Sequence, residues 1–293
     1  MQISDHVMLL GNGHFNHYVV GRHQAVLLEC GMSAGIPAFT RQWESLDPQP
    51  QVTHIVILHS HFDHVCGLPQ FKKMFPQALV VGHAAAEKLF TKEKVRQLMQ
   101  MGDDMVSQVY LEDYGISEKP GPLDVNLLKI DKTVGEGDII QVDSDLSLQI
   151  IETPGHSSCS ISVYLPQEEV MFVSDAAGTA INEETIVPVF FQDYDLYLDS
   201  IRKLMSYPTR VLALGHGQVI NGYEQVQDFY RRSLQSAQDA FASIKDELLA
   251  GVSTEELTRQ FYDQYMKGGL ADYPAAVMLG SVGQLINNVA KRL

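Results

Sequence analysis

Short apolar runs separated by polar turns fill most of residues 1–222, which is the pattern of β-strands. Runs that fit strands lie at 25–30, 55–58, 79–81, 146–150, 161–165, 170–173 and 211–214. Apolar residues at helical spacing appear over 36–46, between the first two runs. Because strands and helical segments are interleaved, the pattern predicts a fold of the α/β (α+β) class.

Two stretches depart from this strand pattern. Residues 84–112 carry apolar side chains near helical spacing and predict an inserted helical pair, whose methionines are interpreted as core rather than as a substrate pocket. After Gly222 the strands stop. A long helix is predicted over 224–250, a capping box at Ser253–Glu256 opens another, and a last helix begins at Pro274.

Composition and charge exclude several classes of protein. The chain has 293 residues with 21 basic and 36 acidic side chains, and its net charge of −15 argues against nucleic acid and anionic membranes as partners. There is no apolar run of the roughly 18–20 residues that a spanning helix needs, and the first residues lack signal-peptide features. Three cysteines (Cys30, Cys66 and Cys159) are interpreted as buried apolar residues rather than metal thiolates. Free thiols fit a reducing compartment, so a cytoplasmic protein is expected.

Four metal-capable side chains follow one apolar strand within six residues, in the order His59-Ser-His61-Phe-Asp63-His64. On a continuing strand, His59 and His61 would point the same way, because side chains alternate with period two. A helix beginning near Asp63 and covering 65–75 would turn Asp63 and His64 towards a neighbouring point. The run therefore predicts two adjacent metal positions, and imidazole with carboxylate suits zinc, iron or manganese.

Three further segments place a metal-capable residue just after an apolar strand. His156 follows the run at 146–150, Asp175 follows 170–173, and His216 follows 211–214. Glycines beside these residues allow close approach of the backbone. The other six histidines are interpreted as surface or structural residues: His6, His14, His17, His23, His54 and His83.

The motif His59-x-His61-x-Asp63-His64, followed in order by His156, Asp175 and His216, resembles the metallo-β-lactamase superfamily over roughly residues 5–222. The resemblance implies an αββα sandwich, with the metals at the edge where the strands end. It implies two metal sites bridged by Asp175, one held by His59, His61 and His156 and the other by Asp63, His64 and His216. Zinc-dependent β-lactamases of the main class have a cysteine where this chain has Asp175, so the sequence favours the glyoxalase II-like branch.

A closer resemblance extends past the strands. The stretch 189–204 and the segments Tyr273-Pro274 and Leu279-Gly-Ser281 are similar to thioesterases of the aminobenzoylacetyl-CoA type, known from quinolone-signal response proteins. In that type a helical tail covers the active site. The resemblance therefore implies a catalytic core over 1–222, with the insertion at about 84–112, and a tail over 223–293 that covers the site.

These features predict a binuclear metal-dependent hydrolase with two divalent ions, zinc first, with iron or manganese as alternatives. A hydroxide bridging the ions would attack an acyl carbonyl, and Asp63 would be the catalytic residue that orients it. A thiolate leaves without a proton donor, so a thioester or related acyl ester is favoured over an amide. Ser157, Ser158 and Ser160 are interpreted as turn residues whose hydroxyls can orient the ligands.

The predicted partner is a small-molecule substrate, which can be anionic because the field at the metals would receive it. Phosphates of such a substrate could meet basic residues of the tail, although a solvated helix face is the preferred interpretation of Arg231, Arg232, Lys245, Arg259 and Lys267.

Two alternatives stay open at the level of sequence. One is a phosphodiesterase of the same fold. The other is a regulatory or partner-binding protein with a mainly structural metal site, which the helical tail motivates because amphipathic helices can form a homodimer face. The complete ligand set favours the enzyme, because structural sites are usually closed by four protein ligands and leave no position for water.

Overall fold

A computed structural model gives the structure of residues 1–113 and 123–293, with the backbone alone at 111–113. Within these residues the first sheet has seven strands, paired in chain order. They are β1 (Gln2–Ser4), β2 (Val7–Gly11), β3 (Asn16–Val20), β4 (Gln24–Leu28), β5 (Gln51–Val56), β6 (Leu79–His83) and β7 (Lys132–Val134). The first four strands pair antiparallel, and β4 to β7 pair parallel.

The second sheet is also mixed and has the order β15-β14-β11-β10-β9-β8, in which only β11 and β14 pair parallel. Its strands are β8 (Ile139–Asp143), β9 (Leu146–Glu152), β10 (Ile161–Leu165), β11 (Val170–Ser174), β14 (Val211–Leu214) and β15 (Val219–Asn221). A separate hairpin is formed by β12 (Thr179–Ala180) and β13 (Ile186–Val187).

Helices cover the outer faces of both sheets. Those before the second sheet are α1 (Ile36–Glu44), α2 (Phe62–Val65), α3 (Leu68–Met74), α4 (Ala84–Phe90) and α5 (Glu93–Asp113). Those after β11 are α6 (Tyr194–Met205), α7 (Tyr223–Leu249), α8 (Thr254–Tyr265) and α9 (Ala275–Ala290). None of the helices described is both long and apolar enough to cross a membrane.

Alternation of side chains along the strands produces three apolar layers. Val26 and Leu28 of β4 face the second sheet, in a core that also contains Phe172 of β11. Leu27 of β4 faces the other way and packs with the helices of the first sheet. Tyr197 of α6 packs with other helices on the outer face of the second sheet. The predicted αββα sandwich is therefore confirmed.

The helix predicted to begin near Asp63 and cover 65–75 is wrong in one respect, because it is divided into α2 and α3. A Cβ at Gly67 would lie 2.1 Å from the carbonyl oxygen of Cys30, so the chain passes there at a distance that only glycine allows. Pro69 at the start of α3 then lacks the amide proton that would continue the earlier helix.

The interpretation of the methionines at 84–112 as core holds for Met99 but is wrong for Met101 and Met105, which are exposed on α5.

In the tail the helix signals are accurate. The Ser253 Oγ accepts the Glu256 amide proton at 3.2 Å, as the capping box predicts, and opens α8. The apolar residues predicted to share one face of α9 are all buried: Met278, Val282, Leu285, Ile286 and Val289.

Helix α5 is fixed to the core through a buried carboxylate, Asp103, which accepts hydrogen bonds from the backbone amide and the hydroxyl of Ser33. Burial raises the pKa of Asp103 to about 6, although the bonds from Ser33 oppose this shift. The folded protein therefore holds a proton on Asp103 between about pH 4 and pH 6 that the unfolded chain releases. The stability that Asp103 contributes is present below about pH 4 and is lost as the pH rises through 6.

The variant Asp103→Asn keeps the shape of the side chain and removes its titration. Between pH 4.5 and pH 7.5 we expect the metal-free wild type to lose about 2 kcal/mol of unfolding free energy that this variant retains. Urea unfolding at the two pH values measures this difference. Asp263→Asn, at an exposed position of α8, is the control and should leave the pH dependence unchanged. An unaltered pH dependence in Asp103→Asn would contradict the prediction.

Candidate functional site

The run of four metal-capable residues lies where the chain leaves β5 and enters α2. The backbone is extended through His61, which is the residue before α2, and Asp63 and His64 lie in the single turn of that helix. This change from extended to helical backbone separates the two pairs of side chains, as the spacing predicts. His59 and His64 are buried, and Asp63 is partly exposed.

The other three predicted residues reach the same place from the second sheet. His156, Asp175 and His216 follow β9, β11 and β14 respectively. Gly155 permits this arrangement because its φ is +129° and a Cβ there would lie 2.3 Å from backbone atoms of Tyr197. The site is therefore built at the edge where strands of both sheets end.

All seven side chains converge in two groups whose ligand atoms lie within 4.8 Å of one another. The first group is His59, His61, His156 and Asp175, and the second is Asp63, His64 and His216. In the first, the His156 Nε2 lies 2.9 Å from the His61 Nδ1 and 3.3 Å from the His59 Nε2. In the second, the His64 Nε2 lies 3.0 Å from the His216 Nε2.

Asp175, a member of the first group, also contacts the second group. Its Oδ2 is 3.5 Å from the His156 Nε2 and 3.4 Å from the His64 Nε2, and its Oδ1 is 3.7 Å from the His216 Nε2. One carboxylate therefore contacts imidazoles of both groups, which is the position that a bridging ligand requires. The assignment of these seven residues as ligands stays a prediction.

The donor chemistry of the site fits divalent metal ions. Burial, followed by the neighbouring imidazole of His156, lowers the pKa of His61 to about 3, and burial also lowers the pKa values of His59 and His156. The three imidazoles of the first group are therefore neutral near pH 7, and their ring nitrogens face one another. Neutral imidazole and carboxylate are ligands of zinc, iron and manganese, so the donors match the ions but do not select among them.

Four histidines, His59, His64, His156 and His216, direct their Nε2 into the site and are held through Nδ1. The Nδ1 atoms of His156 and His59 lie 2.9 Å from the Val189 carbonyl and 3.1 Å from the Ser174 hydroxyl. The Nδ1 of His216 contacts the carbonyl of His14. Such contacts set the tautomer and orientation of metal-binding histidines, and leave Nε2 directed into the site.

Glu29 provides the corresponding partner for His64 and is a residue that the sequence analysis missed. Its Oε2 lies 2.9 Å from the His64 Nδ1, and Glu29 is only 1% exposed. Burial alone would lower the pKa of His64, but the carboxylates of Glu29, Asp175 and Asp63 together raise it well above its usual value. The signal that could have found Glu29 is the one used for the other residues, a metal-capable side chain directly after an apolar strand, here β4.

The serines after His156 lie in or beside turns, as interpreted, but no described contact joins the hydroxyl of Ser157 or Ser160 to a predicted ligand. Among the described contacts, Ser157 and Ser160 bond to each other at 2.8 Å, and Ser157 contacts the sulfur of Cys159. The hydroxyl that orients a histidine belongs instead to Ser174 at the end of β11. The three cysteines are buried free thiols, and their burial is as predicted.

A cavity of about 530 Å³ opens above the two groups. One wall comes from the region of β12 and β13 and the other from α8, α9 and the 3-10 turn between them, Gly268–Asp272. The methionines that line it are Met266 and Met278 of the tail, while those of α5 are outside it. The tail therefore forms part of the site.

Tyr273, just before α9, connects the tail directly to the predicted ligands. Its hydroxyl donates to the Asp63 Oδ2 at 2.9 Å, across 210 positions of sequence. Burial, followed by the neighbouring carboxylate of Asp63, raises the pKa of Tyr273 well above its usual value, so the hydroxyl stays protonated and remains a donor.

We expect Tyr273→Phe to weaken divalent-metal affinity at the second group by roughly tenfold, because Asp63 loses the bond that orients it. Competition with a chromophoric chelator measures the affinity. Tyr265→Phe removes a hydroxyl from the same wall of the cavity and should retain wild-type affinity. Equal affinities in both variants would show that the bond does not orient Asp63.

Comparison with known proteins agrees with this architecture. The profile of the family described as metallo-beta-lactamase superfamily matches residues 11–216. The metallo-beta-lactamase fold-containing protein ST1585 of Sulfurisphaera tokodaii is 22% identical over 248 residues, which are 83% of this chain and 86% of that protein. An atrochrysone carboxyl ACP thioesterase of Aspergillus fumigatus is 21% identical over 217 residues, which are 72% of this chain but about half (53%) of that protein.

A solved structure extends the similarity to the C-terminal helices. The metallo-beta-lactamase family protein TTHA1429 from Thermus thermophilus superposes with a TM-score of 0.68 at 19% identity, over 99% of this chain and 94% of that one. At this identity the match shows a common fold. The profile match covers well over half of the chain and includes all seven predicted site residues.

Proposed function

The chain belongs to the metallo-beta-lactamase superfamily, and we propose that it is a binuclear metal-dependent hydrolase of thioesters or related acyl esters. The observation that carries the proposal is the convergence of two His/Asp groups, with Asp175 between them, on the floor of a cavity with largely apolar walls. A relative named as a thioesterase supports the substrate class. The glyoxalase II-like assignment is part of this proposal.

The residues have distinct roles in the proposed reaction. His59, His61 and His156 would hold one ion and Asp63, His64 and His216 the other, with Asp175 between them. When bound, the two divalent ions would supply a polarised acyl carbonyl and a water of lowered pKa.

The chain's own groups position the reactants. Asp63 borders the cavity and its carboxylate is held by the Tyr273 hydroxyl, so it can orient the attacking water and accept its proton. The apolar walls bind the acyl group and exclude other water from it. Attack forms the new C–O bond, the C–S bond breaks, and the electron pair leaves with sulfur as a thiolate, which needs no proton donor.

The alternatives have less support from the cavity. Cationic side chains beside the metals would favour a phosphodiester, because they bind its charged oxygens, and the described lining residues include no lysine or arginine. A purely structural metal site would not require an open cavity of about 530 Å³ above the ligands. Dimerisation through the tail remains a proposal.

Metal analysis of the natively loaded protein, combined with a substrate panel, tests the proposal. The panel contains acyl-CoA, lactoylglutathione, nitrophenyl acetate, a chromogenic β-lactam and bis-nitrophenyl phosphate. We expect two ions per chain and a kcat/KM for the best thioester at least 100-fold above those for the lactam and the phosphodiester. Cleavage of the phosphodiester without any thioester would establish the phosphodiesterase instead. Loss of all hydrolysis with a fully loaded site would favour the regulatory function.

A further inference from the structure

The cavity has two chemically different ends. Its floor carries the polar groups of His61, His156 and Asp175, where the reacting carbonyl would lie. The rest of the lining is dominated by apolar side chains from both sides of the cleft, which include Ile181 and Val187 of the core and Leu270, Val277 and Met278 of the tail. An acyl group that reaches past the floor therefore enters an apolar space.

Lysine and arginine are absent from the part of this lining that the structure describes. The basic residues of the tail lie outside it, and two of them are already paired on the helix surface, since the Arg232 Nε lies 2.9 Å from the Asp228 Oδ2 and Arg231 contacts the same residue at 3.4 Å. A carboxylate carried by the acyl group would be buried there without a partner, and an unpaired buried charge is strongly disfavoured.

The lining also carries neutral polar groups that could satisfy a hydroxyl or keto oxygen. They belong to Asn12, Thr179, Tyr265, Ser281 and Gln284. A volume of about 530 Å³ lies within the range of pockets that enclose a drug-sized ligand and is far larger than an acetyl group needs.

From these observations we infer that the acyl group of the substrate is uncharged and mainly apolar, with a chain of roughly eight or more carbons or an equivalent ring system. Any anionic part of the substrate belongs to the carrier, which is the thiol that holds the acyl group, and lies outside the cavity. The inference rests on the proposed function and narrows it, since it disfavours dicarboxylic acyl groups and short hydroxyacyl groups such as the lactoyl group of lactoylglutathione.

A panel of acyl groups on two carriers tests the inference with the metal-loaded, full-length protein. Acetyl, hexanoyl, octanoyl and glutaryl thioesters are compared on coenzyme A and on uncharged N-acetylcysteamine. We expect kcat/KM for octanoyl to exceed that for glutaryl by at least 100-fold, and acetyl by at least tenfold, with the same order on both carriers. Comparable rates for glutaryl and octanoyl, or lactoylglutathione as the best substrate, would overturn the inference.

A pair of variants on α9 tests whether the cavity wall is responsible for the preference for octanoyl over glutaryl thioesters. Val277 lines the cavity and is partly exposed, whereas its neighbour Ala276 is exposed and does not line it. Val277→Lys should raise the glutaryl-to-octanoyl ratio at least tenfold by providing a cation, while Ala276→Lys should leave the ratio unchanged. Equal ratios in the two variants, with both folded by circular dichroism, would place the selectivity elsewhere and contradict the inference.

A binding measurement separates this inference from the proposed hydrolysis. Calorimetry with the uncleavable thioethers S-octyl- and S-(3-carboxypropyl)-N-acetylcysteamine should show at least 30-fold tighter binding of the octyl compound. If no thioester is cleaved but this preference holds, the proposed function fails and the apolar acyl site stands. If thioesters are cleaved but neither rates nor binding favour octyl, the inference alone fails.

Discussion

Asp175→Asn is expected to reduce kcat/KM by at least 1,000-fold and to lower the metal content from two ions per chain to one or fewer. The carboxylate lies 3.4–3.5 Å from imidazoles of both groups through a single oxygen, Oδ2, so its replacement disturbs both positions at once. Asparagine has nearly the same shape but no charge, and its amide nitrogen is not a metal ligand. The loss of activity and of metal is therefore expected from the changed donor atom and charge, and not from a packing defect.

Metal content by mass spectrometry and thioester hydrolysis under identical loading conditions measure both effects. Asp143→Asn, at the exposed end of β8, is the matched control and should keep two ions and wild-type activity. Circular dichroism establishes that both variants fold. An Asp175→Asn protein with two ions and unreduced activity would remove Asp175 from the ligand set.

Glu29→Gln is the second change for which we expect a large effect, a 10- to 100-fold loss of divalent-metal affinity at the second group. Glu29 contacts the Nδ1 of His64, and both side chains are 2% exposed or less. The carboxylate increases the basicity of the imidazole and fixes its tautomer, and glutamine can keep the contact but not the charge. The effect should therefore appear in metal affinity more than in folding.

Chelator competition measures this affinity. Urea unfolding of the metal-free protein tests whether the free energy of unfolding changes less than the metal affinity does. Glu44→Gln, on the exposed side of α1, is the control and should change neither quantity. Equal metal affinities for Glu29→Gln and wild type would mean that the charge of Glu29 does not tune His64.

The polar residues of the site were accessible from sequence because their signals are local. Four of the seven predicted ligands lie within six residues after one strand, and the other three each follow an apolar run. The convergence of strand ends at one sheet edge then brings them together without knowledge of any long-range contact. The same locality explains why the capping box at Ser253 and the buried face of α9 were predicted accurately.

The contacts that sequence analysis missed join distant positions. Glu29 and His64 are 35 residues apart, and Tyr273 and Asp63 are 210 apart. Neither pair has a spacing that marks it, because the register of the sheets and the docking of the tail set these distances. The division between α2 and α3 has a similar cause, since Gly67 is required by the passing backbone at Cys30.

The sequence by itself determined the α/β (α+β) class and the set of metal-capable residues, because these follow from hydrophobic period and from ligand chemistry at strand ends. The αββα sandwich and the superfamily followed from the resemblance of its motif. Only the tertiary structure decided which groups hold those residues in place and what surrounds them. Glu29, Ser174 and Tyr273 became partners of the site through packing. The apolar lining of the cavity was likewise decided there, because helix α9 turns Val277 and Met278 inward while the basic residues of the tail remain outside the described lining.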